Sequence, residues 1–346
     1  MQVKAFAALK AGAPLVPHAI ERREPKAHDV VIDILFSGVC HSDLHQVKDE
    51  WGGAVFPMVP GHEIVGRVAQ VGASVKNFVV GDIAGVGCMV DSCRTCSSCT
   101  HGMEQFCASG CAWTYNSTEM DKKTPTHGGY SSRVVVDERF TVKVPKNLDP
   151  AKAAPLLCAG ITTYSPLKRW KCKSGDQVAV VGLGGLGHMA VKLAVAMGAK
   201  VTVLSTSRKK ESDARKLGAH AFAVTTEPGV FDKLKGAFDL IIDTVSAEHD
   251  YNAYLGTLRV QGTMVVVGVP PEAVALKAGS LIHGNRNLAG SLIGGIAETQ
   301  EMLDYCGKHG ITAEVEIIPM QNINEAYERM LKNDVHYRFV IDIASL

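Results

Sequence analysis

At 346 residues the chain is too long for one small core, and with 36 Lys and Arg against 35 Asp and Glu it has no broad cationic field to attract nucleic acid or acidic lipid. Apolar residues make up 46% and there are 34 glycines, the balance of a soluble α/β enzyme, so two domains are expected. The start, "MQVKAFAALKAGAPL", lacks the apolar core of a signal peptide, and the longest uncharged apolar stretch, "QVAVVGLGGLGHMAV", is too short and too glycine-rich to span a bilayer. Ten cysteines without a secretory signal therefore point to reduced thiols and metal ligation in the cytoplasm, with neither nucleic acid nor membrane as partner.

From residue 1 to 150 the pattern is short strands broken by Gly and Pro turns, as in "DVVIDILFSGV", "GHEIVGRVAQVG" and "SSRVVVDERFTVKV", which predicts an all-β, barrel-like unit. From 151 to 294 apolar strands ("QVAVVG", "KVTVLS", "HAFAV", "FDLIID", "GTMVVVGV", "NLAGSL") alternate with helical segments, which predicts βαβ units and a six-stranded, doubly wound parallel sheet. The remaining pieces from 295 to 346, around "ETQEMLDYCGKHG", "TAEVEIIP", "NEAYERMLKND" and "YRFVIDI", exceed what that sheet needs and are expected to return to the first domain. The fold class is thus α/β, a β-rich domain with a dinucleotide-type domain inserted in it and a cleft between them.

"DSCRTCSSCTHGMEQFC" places Cys93, Cys96, Cys99 and Cys107 at C-x2-C-x2-C-x7-C. Thiols two residues apart let a tight turn wrap one ion and the fourth closes a tetrahedron, so the reading is a structural zinc with no open position. Ferredoxins share the opening but continue x3-C-P, whereas here seven residues intervene and Ala108 follows.

"VVGLGGLGH" sets Gly182, Gly184, Gly185, Leu186 and Gly187 between an apolar strand and an amphipathic helix, where glycines permit the tight turn and a pyrophosphate rests on the helix N-terminus. About 20 residues on, a dinucleotide fold usually places an acid for the ribose diol. This chain has "STSRKK" there instead, and Ser205, Thr206, Ser207, Arg208 and Lys210 read as a site for a 2′-phosphate, hence NADP(H) over NAD(H).

The chain also carries "GVCHSDLH", "PGHEIVG" and "PLLCAGITTY", whose Cys, His and Glu residues are individually weak signals. Their joint order, with the four-cysteine loop, "VVGLGGLGHMAVKLA", "GSLIGGIAETQEML" and "NEAYERM", resembles the zinc-dependent medium-chain alcohol dehydrogenases from end to end, specifically the cinnamyl alcohol dehydrogenase-like aldehyde reductases. That resemblance implies a GroES-like catalytic domain and a Rossmann cofactor domain. It also implies hydride transfer between NADP(H) and aldehydes or primary alcohols, whether aromatic, cinnamyl or medium-chain aliphatic.

By the same resemblance Cys40, His62 and Cys158 hold a catalytic zinc, the second of two per chain, with Glu63 beside it and Asp43 orienting His62. Ser42 and His45 would form a proton relay. His41 would face the pyrophosphate, Thr162 the nicotinamide, and Val267 and Val269 its carboxamide. Trp51, Trp113 and Leu292 would line the substrate pocket. Relatives in the lignin pathway commonly carry Phe at the place of Leu292, which argues for a broad aldehyde range. A homodimer paired near residues 287 to 292 is implied as well. The alternatives are a zinc-dependent polyol or secondary-alcohol dehydrogenase, whose members often carry an acid at the place of Ser205, and a noncatalytic zinc-binding protein.

Overall fold

The computed structural model describes residues 1–346. They divide into two compact units, one of residues Met1–Ile161 with Gly294–Leu346 and one of Thr162–Ile293. The first part of unit one contains β1 (Gln2–Ala8), β2 (Leu15–Glu21), β3 (Asp29–Gly38), α1 (His41–Val47), β4 (Ile64–Val71), β5 (Ile83–Val86), β6 (Met89–Asp91), α2 (Ser97–Thr100), β7 (Ala112–Trp113), β8 (Arg133–Asp137), β9 (Val142–Lys143) and α3 (Pro150–Ala153). Helix α4 (Ala159–Arg169) leads into unit two, with β10 (Gln177–Val181), α5 (Gly187–Ala196), β11 (Lys200–Ser205), α6 (Glu211–Lys216), β12 (Ala221–Val224), α7 (Val230–Lys233), β13 (Phe238–Asp243), α8 (Tyr251–Thr257), β14 (Leu258–Val266), α9 (Ala278–Ile282) and β15 (Asn287–Gly290). The chain ends with α10 (Ile296–His309), β16 (Val315–Pro319), α11 (Ile323–Leu331) and β17 (Arg338–Asp342) in unit one.

Unit one is built on a sheet ordered β16-β17-β3-β4-β5-β9, with β8 also on β3. The two C-terminal strands lie in this sheet, β17 antiparallel to β3 and β16 parallel to β17. Strand β3 lies at the centre of this sheet and buries its apolar residues, with Val30, Val31 and Ile32 all at 1% exposure or less. The segment "FVVGDIAGVG" forms less strand than its composition suggests. Only Ile83–Val86 is extended, and Val79 and Val80 sit exposed on the turn before it.

Unit two is a six-stranded sheet ordered β12-β11-β10-β13-β14-β15, with every adjacent pair parallel. Helices cover such a sheet on both faces, which is why "VAVV", "VTVL" and "LIID" are near-continuous apolar runs rather than alternating ones. The strand order reverses between β10 and β13, and in open α/β sheets ligands bind beyond the carboxyl ends of strands at that reversal.

One buried arginine organises the edge of unit one. Arg22 donates to the carbonyls of His127 at 2.6 Å, Gly128 at 3.0 Å and Arg133 at 3.1 Å, and to Ser131 Oγ at 2.9 Å. Burial, and then the neighbouring Arg22 cation, push the His127 imidazole down to about 4. The unfolded chain thus binds one more proton than the folded one between the ordinary histidine value and about 4, so stability is lost as pH falls through that window. His127→Gln should flatten the unfolding free energy from urea melts over the same range by on the order of 1–2 kcal/mol, discounted for partial exposure. An unchanged acid limb would show that His127 is not its source.

Candidate active site and metal centres

The first metal-type cluster is assembled by three separate loops of unit one. Cys40 precedes α1, His62 and Glu63 precede β4, and Cys158 precedes α4. Their ligating atoms lie within 4.8 Å of one another and all four residues are buried. Cys40 Sγ is 3.9 Å from Cys158 Sγ, close to the edge of about 3.8 Å that a tetrahedron with zinc–sulfur bonds of about 2.3 Å requires.

Asp43 gives this cluster its orientation. Fully buried on α1, its carboxylate accepts from Cys40 N at 2.9 Å, Gly61 N at 3.1 Å, His62 Nδ1 at 3.1 Å and Tyr130 Oη at 3.2 Å. With Nδ1 committed to Asp43, His62 has its Nε2 lone pair for a metal, and Tyr115 stacks on the ring at 5.8 Å. Asp43 thus bonds His62 from behind the cluster, and Tyr130 supplies a fourth donor to that carboxylate that sequence reasoning missed. Tyr130→Phe should speed zinc loss to a chelator by about tenfold, the lower end of what loss of a residue behind a ligand costs. An unchanged release rate would place the whole effect in the other three donors.

Glu63 and Arg338 form a buried ion pair through Glu63 Oε1, while Glu63 Oε2 is buried without a partner. A carboxylate oxygen left over in the middle of two thiols and an imidazole fits a divalent cation, and a Cβ at Gly38 would fall on it at 1.9 Å. Gly38 is thus required by close approach. Arg338 also acts on Cys40, whose thiol is held well below its ordinary range by the hydrogen bond with Cys158, against burial, with the Arg338 and His62 charges assisting. Cys158 is correspondingly pushed up by Cys40, Cys88 and burial. The set therefore holds a thiolate ready for a cation, with two soft sulfurs and one nitrogen as zinc prefers.

On α1, Ser42 Oγ lies 3.6 Å from Cys40 Sγ, so its hydroxyl is at the cluster, and His45 follows on the same helical face. His45 Nδ1 is bonded to Glu50, and Trp51 stacks on the imidazole with ring centroids 5.1 Å apart. Glu50 is a further residue that sequence reasoning missed; its only signal is an acid five residues after the histidine. His41 opens α1 and is exposed.

The second cluster, Cys93, Cys96, Cys99 and Cys107, also has its four sulfurs within 4.8 Å. Sulfur separations are 3.9 Å for Cys93 to Cys99 and 3.5 Å for Cys96 to Cys99. Backbone amides of Cys96 and Ala108 donate to the sulfurs of Cys93 and Cys96 at 3.3 and 3.4 Å. The amides of Thr95 and Cys96 bring the Cys93 thiol down to about 5. A thiolate set closed by four sulfurs leaves no place for substrate, and none of the ten cysteines is in a disulfide.

In unit two, Gly182 has φ of +85° beside Val245, and a Cβ on Gly187 would lie 2.2 Å from the Gly182 carbonyl. Both positions therefore demand glycine, which brings the turn 182–187 and the α5 N-terminus together, an arrangement that suits a phosphate. Ser205 ends β11, Ser207 caps the turn that follows, and Lys210 Nζ donates to the Leu183 carbonyl at 2.8 Å. Thr206 and Arg208 are exposed, and Arg208 is paired with Glu227 at 2.6 Å and Glu211 at 3.0 Å. Val267 N donates to the Asp243 carbonyl and Val269 N to Ser246 Oγ, so both amides are already used within the fold. Thr162 is buried on α4, whereas Trp113 and Leu292 are 36% and 46% exposed.

Residues 26–146 match the family model for the alcohol dehydrogenase GroES-like domain, and residues 185–308 that for the zinc-binding dehydrogenase. The chain is 56% identical over 345 residues to the NADP-dependent alcohol dehydrogenase C 1 of Mycolicibacterium smegmatis, covering 99% of each. It is similar to a cinnamyl alcohol dehydrogenase from Sorghum bicolor, with TM-score 0.97 and 46% identity over 99% of this chain and 98% of that one. The cinnamyl alcohol dehydrogenase of Helicobacter pylori, complexed with NADP(H), matches with TM-score 0.94 and 44% identity over 99% of both chains. A buried two-cysteine, one-histidine site, a four-cysteine site and a glycine-turn sheet coincide with these matches over nearly the whole length, and the chain belongs to the zinc-binding alcohol dehydrogenases of the medium-chain type, in their cinnamyl alcohol dehydrogenase-like group.

Proposed function

We propose that this chain interconverts aldehydes and primary alcohols by hydride transfer with NADP(H), using one catalytic and one structural zinc. The observation that carries the proposal is the buried Cys40, His62 and Cys158 set with the Ser42 hydroxyl beside it. When bound, zinc supplies a Lewis acid for the substrate oxygen and the nicotinamide supplies or accepts the hydride. Ser42 exchanges the proton of that oxygen, and His45 carries it onward along α1 toward solvent. Glu50 holds the His45 ring by Nδ1, and the same contact keeps the Glu50 carboxyl below its ordinary range, so an anion stands by to balance a protonated imidazole. Asp43 fixes His62, while Glu63, backed by Arg338, offers a further oxygen to the metal during ligand exchange.

Ser205, Thr206, Ser207, Arg208 and Lys210 are proposed to receive the 2′-phosphate, with the turn 182–187, including Leu186, and His41 at the pyrophosphate. Thr162, Val267 and Val269 are proposed at the nicotinamide, and Trp51, Trp113 and Leu292 along a broad apolar substrate pocket. Trp51, by stacking on His45, would also shield the relay. β15 is the last strand of its sheet, and its free edge suits pairing with a second copy as a homodimer. No helix is long and apolar enough to cross a membrane. Ten unpaired cysteines suit a reducing cytoplasm.

The deciding experiment follows the absorbance of reduced nicotinamide over a panel of aromatic, cinnamyl and aliphatic aldehydes, with NADPH and NADH in parallel. Aldehyde-dependent oxidation favouring NADPH is expected, with two zinc ions per chain by metal analysis. No oxidation of either cofactor by any aldehyde would overturn the activity, and faster turnover with NADH would overturn only the phosphate site.

A further inference from the structure

Asp243 is the last residue of β13, one of the two strands at the order reversal of the unit-two sheet, and its side chain is fully buried. A bare carboxylate is costly there, and the chain supplies His249, whose Nε2 bonds Asp243 Oδ2 at 3.0 Å while Nδ1 bonds the Ala247 carbonyl at 2.8 Å. Asp243 Oδ1 accepts from Val245 N at 3.2 Å, and its carbonyl accepts from Val267 N and Gly268 N. The ring is held between Tyr251 and Tyr254, with centroids at 4.7 and 5.3 Å.

The segment so pinned is the wall of the glycine turn. Thr244 Oγ1 donates to the Val181 carbonyl at 2.7 Å, a Cβ on Gly182 would meet Val245 at 2.8 Å, and one on Gly268 would meet the Val245 carbonyl at 2.5 Å. Ser246 Oγ accepts from Val269 N at 3.2 Å. Residues 243–249 thus connect the pyrophosphate turn to the strand end at 267–269, and nothing in the proposed chemistry uses the Asp243 and His249 pair.

We infer that His249, through Asp243, is a positioning residue for the dinucleotide wall, and that the pair makes affinity for the anionic dinucleotide fall as pH rises. The inference rests on the proposed NADP(H) reading. Burial opposes a charged ring, but Asp243 and the Ala247 carbonyl, with Asp250 nearby, hold the His249 imidazole above its ordinary range. The groups facing it are Asp243 on β13 and Asp250, Tyr251 and Tyr254 on and before α8. Below its folded pKa the pair is neutral as a whole. Above it, Asp243 is left as one uncompensated negative charge beneath the phosphate cradle.

The test titrates NADPH, and NADH in parallel, into the zinc-loaded enzyme without substrate, reading nicotinamide fluorescence between about pH 6 and pH 9. Wild type should lose about fivefold in affinity for both dinucleotides, the scale of one charge acting at several ångströms in a partly screened site. NADH lacks the 2′-phosphate, so a loss common to both cannot come from titration of that group. His249→Gln keeps a donor but cannot charge; it should bind weakly at every pH with no slope, the KM for NADPH rising more than kcat falls. Asp243→Asn should bind more tightly than wild type at the alkaline end. A wild-type slope retained in both variants overturns the inference with the NADP(H) reading intact, whereas no dinucleotide binding by wild type at any pH overturns both. Thermal melts of each variant separate lost folding from lost positioning.

Discussion

Ser42→Ala should lower turnover by on the order of 100-fold or more, the usual loss when a proton-transfer group is removed, while two zinc ions per chain remain bound. The physical reason is its place on α1. Cys40 precedes the helix and is oriented by Asp43, so the hydroxyl two residues later is carried to within 3.6 Å of a metal-binding sulfur. His45, one turn on, is the next proton acceptor of the proposed relay; its Nδ1 is committed to Glu50, which would leave the other nitrogen for exchange. Ser42→Thr, which keeps the hydroxyl, should restore most of the rate. Turnover and metal content are measured together, because an alanine variant that stays fully active with both zincs present would make Ser42 a helix residue and nothing more. Glu50→Gln tests the far end of the same path, where the loss should be smaller and greatest at low buffer concentration.

Ser205→Asp should raise the KM for NADPH by on the order of 100-fold, since a like charge set against a phosphate costs several kcal/mol, and should leave NADH unchanged or improved. Ser205 ends β11 immediately before the basic turn, and its parallel neighbour β12 fixes that strand end in place. On the proposed NADP(H) reading a carboxylate at this point would meet the ribose, where it suits a 2′-hydroxyl and repels a 2′-phosphate. The structure also ranks the cations. Lys210 is drawn in toward the glycine turn by the Leu183 carbonyl, and part of its cost is visible in an ammonium whose pKa burial lowers. Arg208 is solvent-exposed and shared by Glu211 and Glu227, an arrangement of modest strength that a phosphate would have to compete with. Competition by adenosine 2′,5′-bisphosphate reads the phosphate site without turnover. Equal losses for NADPH and NADH would mean that the substitution disturbs the fold of β11 rather than selecting between phosphates.

The α/β architecture was legible in the residues because the two periods differ so sharply. Parallel strands covered on both faces are apolar at nearly every position, so "QVAVV" and "FDLIID" announce themselves, and glycines at 182 and 187 are needed where a strand turns so tightly into a helix. The four-cysteine loop was equally legible, since its ligands lie within one short segment whose spacing is itself the geometry. The catalytic cluster was not readable in this way. Cys40, His62 and Cys158 come from three loops, and without the resemblance each would pass for an ordinary buried residue.

What lay beyond sequence reasoning was every pairing between distant positions. Arg338 reads as an ordinary charge at the start of a C-terminal strand, until β17 pairs with β3 and carries it to Glu63. Tyr130 reads as a core aromatic, until its hydroxyl is found on Asp43. His249 reads as a loop histidine, until β13 ends in the buried carboxylate that it neutralises. Local periodicity, turn chemistry and short-range metal spacing are written along the chain, because they depend on neighbours a few residues apart. Which buried charge meets which partner depends on strand order and register, and folding alone brings those residues within hydrogen-bonding distance.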